Sequence, residues 1–228
     1  MAITTCVFDA YGTLFDVNAA ARAVAAEPGN EAFAEVWQPV SAHWRTKQLQ
    51  YTWLRAITGD HIDFWKVTQD GLDWALEAVG QNDPALRERL LGLYWELAAF
   101  AEVPEMLATL KAGGLNTAIL SNGSPDMLDG AVQSAGLGYV LDAVLSVESV
   151  GVFKPNPKVY DLVGAHFGCT AAEVLFVSSN GWDAAAALSY GFNVLWVNRA
   201  GDPMDRLPGR PTNVARDLTS VPAMAGLG

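Results

Sequence analysis

Five short runs of apolar, β-prone residues limit the architectures open to this chain. Each run is almost continuously hydrophobic, which is typical of strands in a parallel sheet covered on both faces. From the second run onward, segments with helical patterns lie between the runs, so that strands and helices alternate. The sequence therefore predicts an α/β fold with a doubly wound parallel sheet, with strands at Ile3–Phe8, Asn116–Leu120, Ala143–Val147, Val174–Ser178 and Val194–Val197.

The segment between the first two runs is far too long for a single crossover helix. It has helical patterns nearly throughout, with amphipathic stretches over Glu31–Ile57, Phe64–Val79 and Pro84–Leu97. Ligands bind at the carboxyl ends of parallel strands, so an insertion directly after strand 1 lies over that edge of the sheet. We therefore predict a core domain formed by residues 1–16 and 99–228, and a helical cap domain formed by residues 17–98.

Composition excludes several classes of protein. The chain has 228 residues, of which 51% are hydrophobic and 17% charged, so it can bury a sizeable core. Its formal net charge is −11 and it has no Lys/Arg cluster, which argues against nucleic-acid partners. This charge also repels small anions, so any anion site must be built from local cations and backbone N–H groups.

Sequence features also bear on location. No continuous apolar stretch is long enough to span a membrane, and the N-terminal residues lack a signal-peptide pattern. Cys6 and Cys169 belong to no CxxC pair, so we expect neither a disulfide framework nor a zinc site. These features predict a protein of the reducing cytoplasm that does not associate with a membrane.

Polar residues follow four of the predicted strands, and their carboxyl ends meet at one edge of the sheet. Asp9 follows strand 1, Ser121 and Asn122 close strand 2, Lys154 lies in the loop after strand 3, and Asp183 follows strand 4. On the strand 1 segment alone, Asp9 fits an ordinary strand–turn aspartate as well as a functional one. Its convergence with the other three strand ends favours a functional site.

These segments, in this order and spacing, resemble the haloacid dehalogenase superfamily, and the resemblance covers essentially the whole chain. It implies that Asp9 is a nucleophile and that Thr13 orients it. It also implies that Ser121 binds substrate and that Lys154 balances the carboxylates.

Two departures from the superfamily pattern bear on the reaction. Most members are phosphatases with a second Asp two residues after the nucleophile, where this chain has Tyr11. They also carry an acidic pair after strand 4 that holds Mg²⁺, whereas here Ser178-Ser179-Asn180 precedes the single acid Asp183. With few hard oxygen ligands, no metal and no cofactor are expected. A halide leaves as a stable anion and needs no general acid.

The segment Ser41–Arg55 resembles the arginine-bearing cap helix of the L-2-haloacid dehalogenase subgroup. Arg45 in isolation would be an ordinary solvated charge on a helix, and the resemblance instead implies that it binds halide. The subgroup implies hydrolysis of small (S)-2-haloacids to (R)-2-hydroxy acids and halide through an aspartyl ester. It also implies that the protein is a homodimer. The partners it implies are the 2-haloacid anion, as substrate, and the halide, as product.

A mechanism built on this resemblance assigns the remaining residues. The substrate carboxylate is expected to bind Ser121 and backbone N–H groups near Ala10, Tyr11 and Asn122. Arg45 stabilises the halide, with Asn122 and Trp182 completing its cradle.

The second half of the reaction uses Asp183, which is expected to orient or activate water and to be held by Ser178 and Asn180. Tyr160 is expected to border the site. The expected apolar walls, which are equally compatible with plain packing, are Tyr11, Leu49, Phe64 and Trp182.

The sequence leaves two other functions open. A phosphatase of the same superfamily would release phosphate with Mg²⁺, although Tyr11 argues against it. A non-catalytic binding protein would release halide from no haloacid, although the joint presence of Asp9, Arg45, Lys154 and Asp183 argues against it.

Overall fold

The computed structural model describes residues 2–228. All strands of its six-stranded sheet are parallel, in the order β3-β2-β1-β4-β5-β6, which confirms the predicted doubly wound α/β fold. The strands are Thr5–Phe8 (β1), Asn116–Ser121 (β2), Ala143–Ser146 (β3), Val174–Ser178 (β4), Asn193–Val197 (β5) and Asn213–Ala215 (β6).

The central position of β1 determines where Asp9 emerges. β1 lies between β2 and β4, and its last residue, Phe8, is opposite Ile119 and Val177. All of β1 is buried, as expected of a strand covered on both faces. The residue after β1 therefore emerges between the carboxyl ends of two neighbouring strands, where ligands bind in such sheets.

Helices account for the long segment after β1, as predicted. They are Ala19–Ala25 (α1), Glu31–Ala34 (α2), Trp37–Thr58 (α3), Phe64–Ala78 (α4) and Pro84–Trp95 (α5). The prediction of one continuous stretch over Glu31–Ile57 was wrong, because the chain turns at Glu35 and Val36. This turn allows α2 and α3 each to pack against α1.

The helices after α5 cover the two faces of the sheet. They are Val103–Ala112 (α6), Pro125–Ser134 (α7), Pro157–Phe167 (α8), Gly181–Tyr190 (α9) and Val221–Met224 (α10). Asn156 caps α8, because its side chain accepts a hydrogen bond from Lys158 N at 3.1 Å. Ser124 lies at the N-cap of α7, but its side chain makes no capping bond.

The chain leaves the sheet and returns to it at a single crossing. Phe15 and Ala99 form an antiparallel bridge, Asp16 N donates to Ala98 O at 3.0 Å, and Phe100 N donates to Leu14 O at 2.9 Å. The division into a core of residues 1–16 and 99–228 and a cap of residues 17–98 stays a prediction.

The sixth strand, β6, was not predicted from the sequence. This strand has only three residues and pairs with β5 at the edge of the sheet, so it lacks the long apolar run by which the other strands were recognised. Within residues 2–228, no helix combines the length and apolar character needed to cross a membrane.

Candidate active site

The loop after β1 is held in a tight turn that orients its polar side chains. The carbonyl of Ala10 accepts hydrogen bonds from the backbone N–H groups of Leu14 at 2.9 Å and Phe15 at 3.0 Å. Gly12 has a φ of +88°, and a Cβ there would lie 3.1 Å from Ser179 Oγ. A glycine is favoured because the turn needs both a left-handed backbone and a close approach to the loop after β4.

Asp9 is held by three side chains that the topology brings together. Its Oδ2 accepts hydrogen bonds from Thr13 Oγ1 at 3.0 Å and Asn180 Nδ2 at 2.8 Å. Its Oδ1 is 3.2 Å from Lys154 Nζ. The residue is only 6% exposed, so this carboxylate is nearly desolvated and held in one orientation.

Lys154 joins the two acidic residues of the site. Its Nζ lies 3.2 Å from Asp9 Oδ1 and 2.8 Å from Asp183 Oδ2, and the side chain is 1% exposed. Its backbone N–H donates to Asn122 Oδ1 at 2.9 Å, which fixes the loop against the end of β2. One buried ammonium therefore neutralises part of the charge of two buried carboxylates.

Asp183 has partners on both carboxylate oxygens. Oδ1 accepts a hydrogen bond from the Tyr160 hydroxyl at 2.7 Å, and Oδ2 accepts one from Ser178 Oγ at 3.2 Å besides that from Lys154. The side chain is fully buried. Tyr160 therefore borders the site, because its hydroxyl donates to Asp183.

The side chain of Asn180 contacts Asp9, whereas its contact with Asp183 is made by the backbone. Asn180 precedes α9 and its amide extends over the end of β1, donating to Asp9 Oδ2 and accepting from Arg45. Asp183 lies in the first turn of α9 and points into the core, so the two residues are joined only by backbone bonds, such as Asp183 N to Asn180 O at 3.1 Å.

Electrostatics set the protonation states of this cluster. Burial disfavours the ammonium form of Lys154, but attraction to Asp183 and Asp9 outweighs this effect and raises its pKa above the ordinary value. Burial raises the pKa of Asp183, Lys154 lowers it, and the charge of Asp9 raises it. Burial, followed by the charge of Asp183, raises the pKa of Tyr160, which therefore remains a neutral hydrogen-bond donor.

Arg45 extends from α3 to the nucleophile loop. Its Nη2 donates to Asn180 Oδ1 at 2.9 Å and lies 3.4 Å from the carbonyl oxygen of Tyr11. Arg45 also lines an open groove of about 580 Å³ that includes Ser41 and Leu49. The guanidinium is thus within reach of the site while its helix borders solvent.

Ser121 and Asn122 lie at the end of β2, both buried. Ser121 Oγ accepts a hydrogen bond from Gly123 N at 3.0 Å, so its hydroxyl proton remains available for another acceptor. Asn122 uses its carbonyl oxygen to bind the backbone of Lys154. The site thus has hydroxyl and amide donors next to the buried carboxylates.

The expected apolar walls fall into two groups. Tyr11 stacks on Tyr94 with ring centroids 5.7 Å apart and lies 5.8 Å from Phe64, so Tyr11 and Phe64 form one aromatic wall. Leu49 and Trp182 lie further out. Leu49 borders the open groove beside Arg45, and the Trp182 ring packs against Trp53 at 5.4 Å in a separate apolar groove of about 570 Å³.

Similarity to known proteins identifies the family. A model of haloacid dehalogenase-like hydrolases matches residues 3–191. The chain belongs to the haloacid dehalogenase-like hydrolase family. It is 42% identical over 204 residues to (S)-2-haloacid dehalogenase 1 of Pseudomonas sp. strain CBS-3, covering 89% of this chain and 88% of that protein. It is 45% identical over 199 residues to the (S)-2-haloacid dehalogenase of Xanthobacter autotrophicus, covering 86% and 76%.

Solved structures of haloacid dehalogenases have the same fold. The Xanthobacter autotrophicus L-2-haloacid dehalogenase with chloropropionic acid covalently bound superposes with a TM-score of 0.88 at 36% identity, covering 98% of each chain. Another L-2-haloacid dehalogenase superposes with a TM-score of 0.93 at 38% identity, covering 99% of this chain and 100% of the other. The superfamily predicted from the strand-end motifs is therefore confirmed.

Two further residues of this family member contact the site and were not assigned from the sequence. Ser179 N donates to Thr13 Oγ1 at 2.8 Å and so holds the side chain that contacts Asp9. Tyr94 stacks on Tyr11 and its hydroxyl accepts a hydrogen bond from Gln48 Nε2 at 3.2 Å. Ser179 could have been found from its place at a strand end, whereas Tyr94 carried no signal because its neighbours are remote in sequence.

Binding of a metal ion would require several ligand side chains to lie close together. Across residues 2–228, no three His, Cys, Asp or Glu side chains form a group that could hold a metal ion. The positive charge placed between Asp9 and Asp183 is the ammonium group of Lys154.

We predict that Lys154→Met strongly destabilises the protein. The change leaves Asp9 and Asp183 buried without their cation, which should lower the free energy of unfolding by about 3–5 kcal/mol. Urea denaturation measures the loss. Lys66→Met, which removes an exposed partner of Asp70, is the control and should have little effect. Equal effects of the two substitutions would contradict the stabilising role of Lys154.

Proposed function

We propose that this protein is an (S)-2-haloacid dehalogenase, a hydrolase that acts on the carbon–halogen bond of small 2-haloacids. The products are (R)-2-hydroxy acids and halide, and the reaction passes through an aspartyl ester on Asp9. The observation that carries the proposal is the desolvated Asp9 carboxylate, held by Thr13, Asn180 and Lys154. The names of relatives that are 42% and 45% identical over most of the chain support it.

In the first step, a carboxylate oxygen of Asp9 attacks C2 of the substrate in line with the halogen. Oδ2 accepts hydrogen bonds from Thr13 and Asn180, whereas Oδ1 accepts one from Lys154, so the lone pairs of Oδ1 are less occupied and Oδ1 is assigned as the attacking atom. The new O–C2 bond forms as the C2–halogen bond breaks, and its electron pair leaves with the halide. The attack inverts the configuration at C2 and links the substrate to Asp9 as an ester.

Binding of the substrate carboxylate is assigned to donors at the ends of β1 and β2. The available hydroxyl proton of Ser121, the Asn122 amide and the backbone N–H groups of Ala10 and Tyr11 are the candidates. Arg45 then lies on the cap side, where it stabilises the departing halide. Its guanidinium stays charged when water is excluded, so it provides a fixed positive charge where negative charge develops.

In the second step, water attacks the carbonyl carbon of the Asp9 ester. Asp183 activates this water, and Ser178, Tyr160 and Lys154 hold its carboxylate. Ester formation removes the charge of Asp9, which leaves Asp183 as the sole carboxylate facing Lys154. Asp183 takes one proton from the water and passes it to the departing oxygen as the acyl C–O bond of the ester breaks. The other proton is lost to solvent, so the Asp9 carboxylate is regenerated and the hydroxy acid is released.

The reaction is proposed to proceed without a metal ion. The ammonium of Lys154 contacts both Asp9 and Asp183, which supplies the charge balance that two adjacent carboxylates require. Tyr11 packs against Tyr94 and Phe64 in an aromatic wall and supplies no carboxylate to the site. A halide leaving group needs neither a second acid nor a divalent cation.

We also propose that the protein is a cytoplasmic homodimer. Leu54 and Ile57 lie three residues apart on α3 with 58% and 82% of their surface exposed, and such apolar exposure favours association. Cys6 and Cys169 are both unpaired, which agrees with a reducing compartment.

Asp9→Asn should abolish halide release from (S)-2-chloropropionate while leaving the fold intact. The substitution preserves the shape of the side chain but removes the nucleophilic carboxylate. A chloride-selective electrode measures turnover and circular dichroism checks the fold. Asp16→Asn, in the same loop but paired with Arg22 near the surface, is the control and should retain activity. Normal turnover by Asp9→Asn would rule out the ester mechanism.

Tyr160→Phe should move the acidic limb of the kcat profile to higher pH by about one unit. The Tyr160 hydroxyl stabilises ionised Asp183 and so lowers its pKa. Without this hydroxyl the pKa of Asp183 rises further, so activity that needs the ionised form is lost earlier as pH falls. Tyr190→Phe, which removes a bond to exposed Asp161, is the control. An unchanged limb in Tyr160→Phe would show that Asp183 does not act as the base.

A further inference from the structure

The end of β5 contributes a cation to the loop that carries the nucleophile. Arg199 follows this strand by two residues, and its Nη2 donates to the carbonyl oxygen of Thr13 at 3.0 Å. Thr13 is fully buried, and its own hydroxyl contacts Asp9 Oδ2 at 3.0 Å. One residue therefore separates the Arg199 guanidinium from the proposed nucleophile.

The same guanidinium binds the segment that returns from the helical insertion. Arg199 Nη1 lies 2.8 Å from Glu102 Oε1, and the guanidinium carbon is 3.6 Å from the centroid of the Phe100 ring. Phe100 N in turn donates to Leu14 O at 2.9 Å. Arg199 thus joins the segment that leaves the sheet for the insertion and the segment that returns from it.

Thr13 is fixed at each of its polar groups. Its carbonyl accepts from Arg199 at 3.0 Å, its backbone N–H lies 3.3 Å from Ala10 O, and its hydroxyl accepts from Ser179 N at 2.8 Å. With that acceptor position used, the hydroxyl proton is directed to Asp9 or to Ser179 Oγ at 3.1 Å. A rotation of the peptide after Thr13 would move the side chain and disturb this choice.

We propose that Arg199 is a positioning residue for the nucleophile. By holding the Thr13 carbonyl, it keeps the Thr13 hydroxyl on Asp9 Oδ2 and leaves Oδ1 to attack. Its contacts with Phe100 and Glu102 couple this orientation to the segment that carries the chain back from the insertion. The catalytic part of this inference rests on the proposed dehalogenase function.

The geometry requires an arginine. The planar guanidinium places one nitrogen on Thr13 and another on Glu102 while its face lies against Phe100. A lysine ammonium cannot hold two partners in this fixed fork and also stack on a ring. Arg199→Lys therefore preserves the charge but loses the orientation, which separates positioning from a simple charge effect.

The first test is a single turnover of (S)-2-bromopropionate with excess enzyme, followed by bromide release. Arg199→Ala should slow this step tenfold or more because a hydrogen bond from a charged group is lost, and KM should change less than threefold. Arg199→Lys should also slow it. Glu102→Gln removes a charge beside Arg199 but keeps a side-chain oxygen that can accept from Nη1, so the Arg199–Thr13 bond is kept and the rate should stay within twofold of the wild type. An unchanged rate in Arg199→Ala, or an equal loss in Glu102→Gln, would overturn the proposal.

A second test needs no enzymatic activity, so it still decides the inference if the wild type releases no halide. Urea unfolding of Arg199→Ala, Thr13→Val and the double variant forms a double-mutant cycle. Each variant changes the unfolding equilibrium constant by some factor relative to the wild type. The factor for the double variant should differ at least threefold from the product of the two single-variant factors, because Arg199 and Thr13 act on the same peptide group. The matched cycle of Glu102→Gln with Thr13→Val should be multiplicative. A multiplicative Arg199 cycle would show that Arg199 does not act through Thr13. If Arg199→Ala does not fold, Arg199→Lys replaces it in both tests.

Discussion

The contact of one buried ammonium with two buried carboxylates is the interaction on which the rest of the site depends. The parallel register of β1 and β4 brings Asp9 and Asp183 toward the same edge of the sheet, where their charges repel each other. Both side chains are buried, so the repulsion is poorly screened. Lys154 lies within 3.2 Å of both residues and offsets this repulsion. The proposed nucleophile, Asp9, and the proposed base, Asp183, thus belong to the same ion cluster.

The net charge of −11 makes local cations essential for an anionic substrate. Lys154 is committed to the two carboxylates, so recognition of a halide needs another positive group. Arg45 meets this requirement from the helical insertion, where it contacts Asn180 and the Tyr11 carbonyl. The site is therefore assembled from both parts of the chain, and the crossing at Phe15 and Ala99 determines how they meet.

The predictions from sequence were most successful where a signal was local. Continuous apolar runs located five of the strands, and polar residues in the segments that follow these strands pointed to Asp9, Lys154 and Asp183. Signals that depend on packing could not be found in this way. The orientation of Asn180 toward Asp9 follows from its place before α9, and the stacking of Tyr94 on Tyr11 joins distant segments. Arg199 was overlooked because only four strand ends were considered, although it follows a fifth.

The proposed reaction depends on a covalent ester between Asp9 and the substrate. A single turnover in ¹⁸O water, with enzyme in excess over (S)-2-chloropropionate, tests it most directly by mass spectrometry of the product and of the peptide containing Asp9. The ester route transfers an unlabelled Asp9 oxygen to the hydroxy acid and leaves the label in the Asp9 carboxylate. Label that appears in the hydroxy acid at the first turnover, with none in Asp9, would mean that water attacks C2 directly and would contradict the ester mechanism.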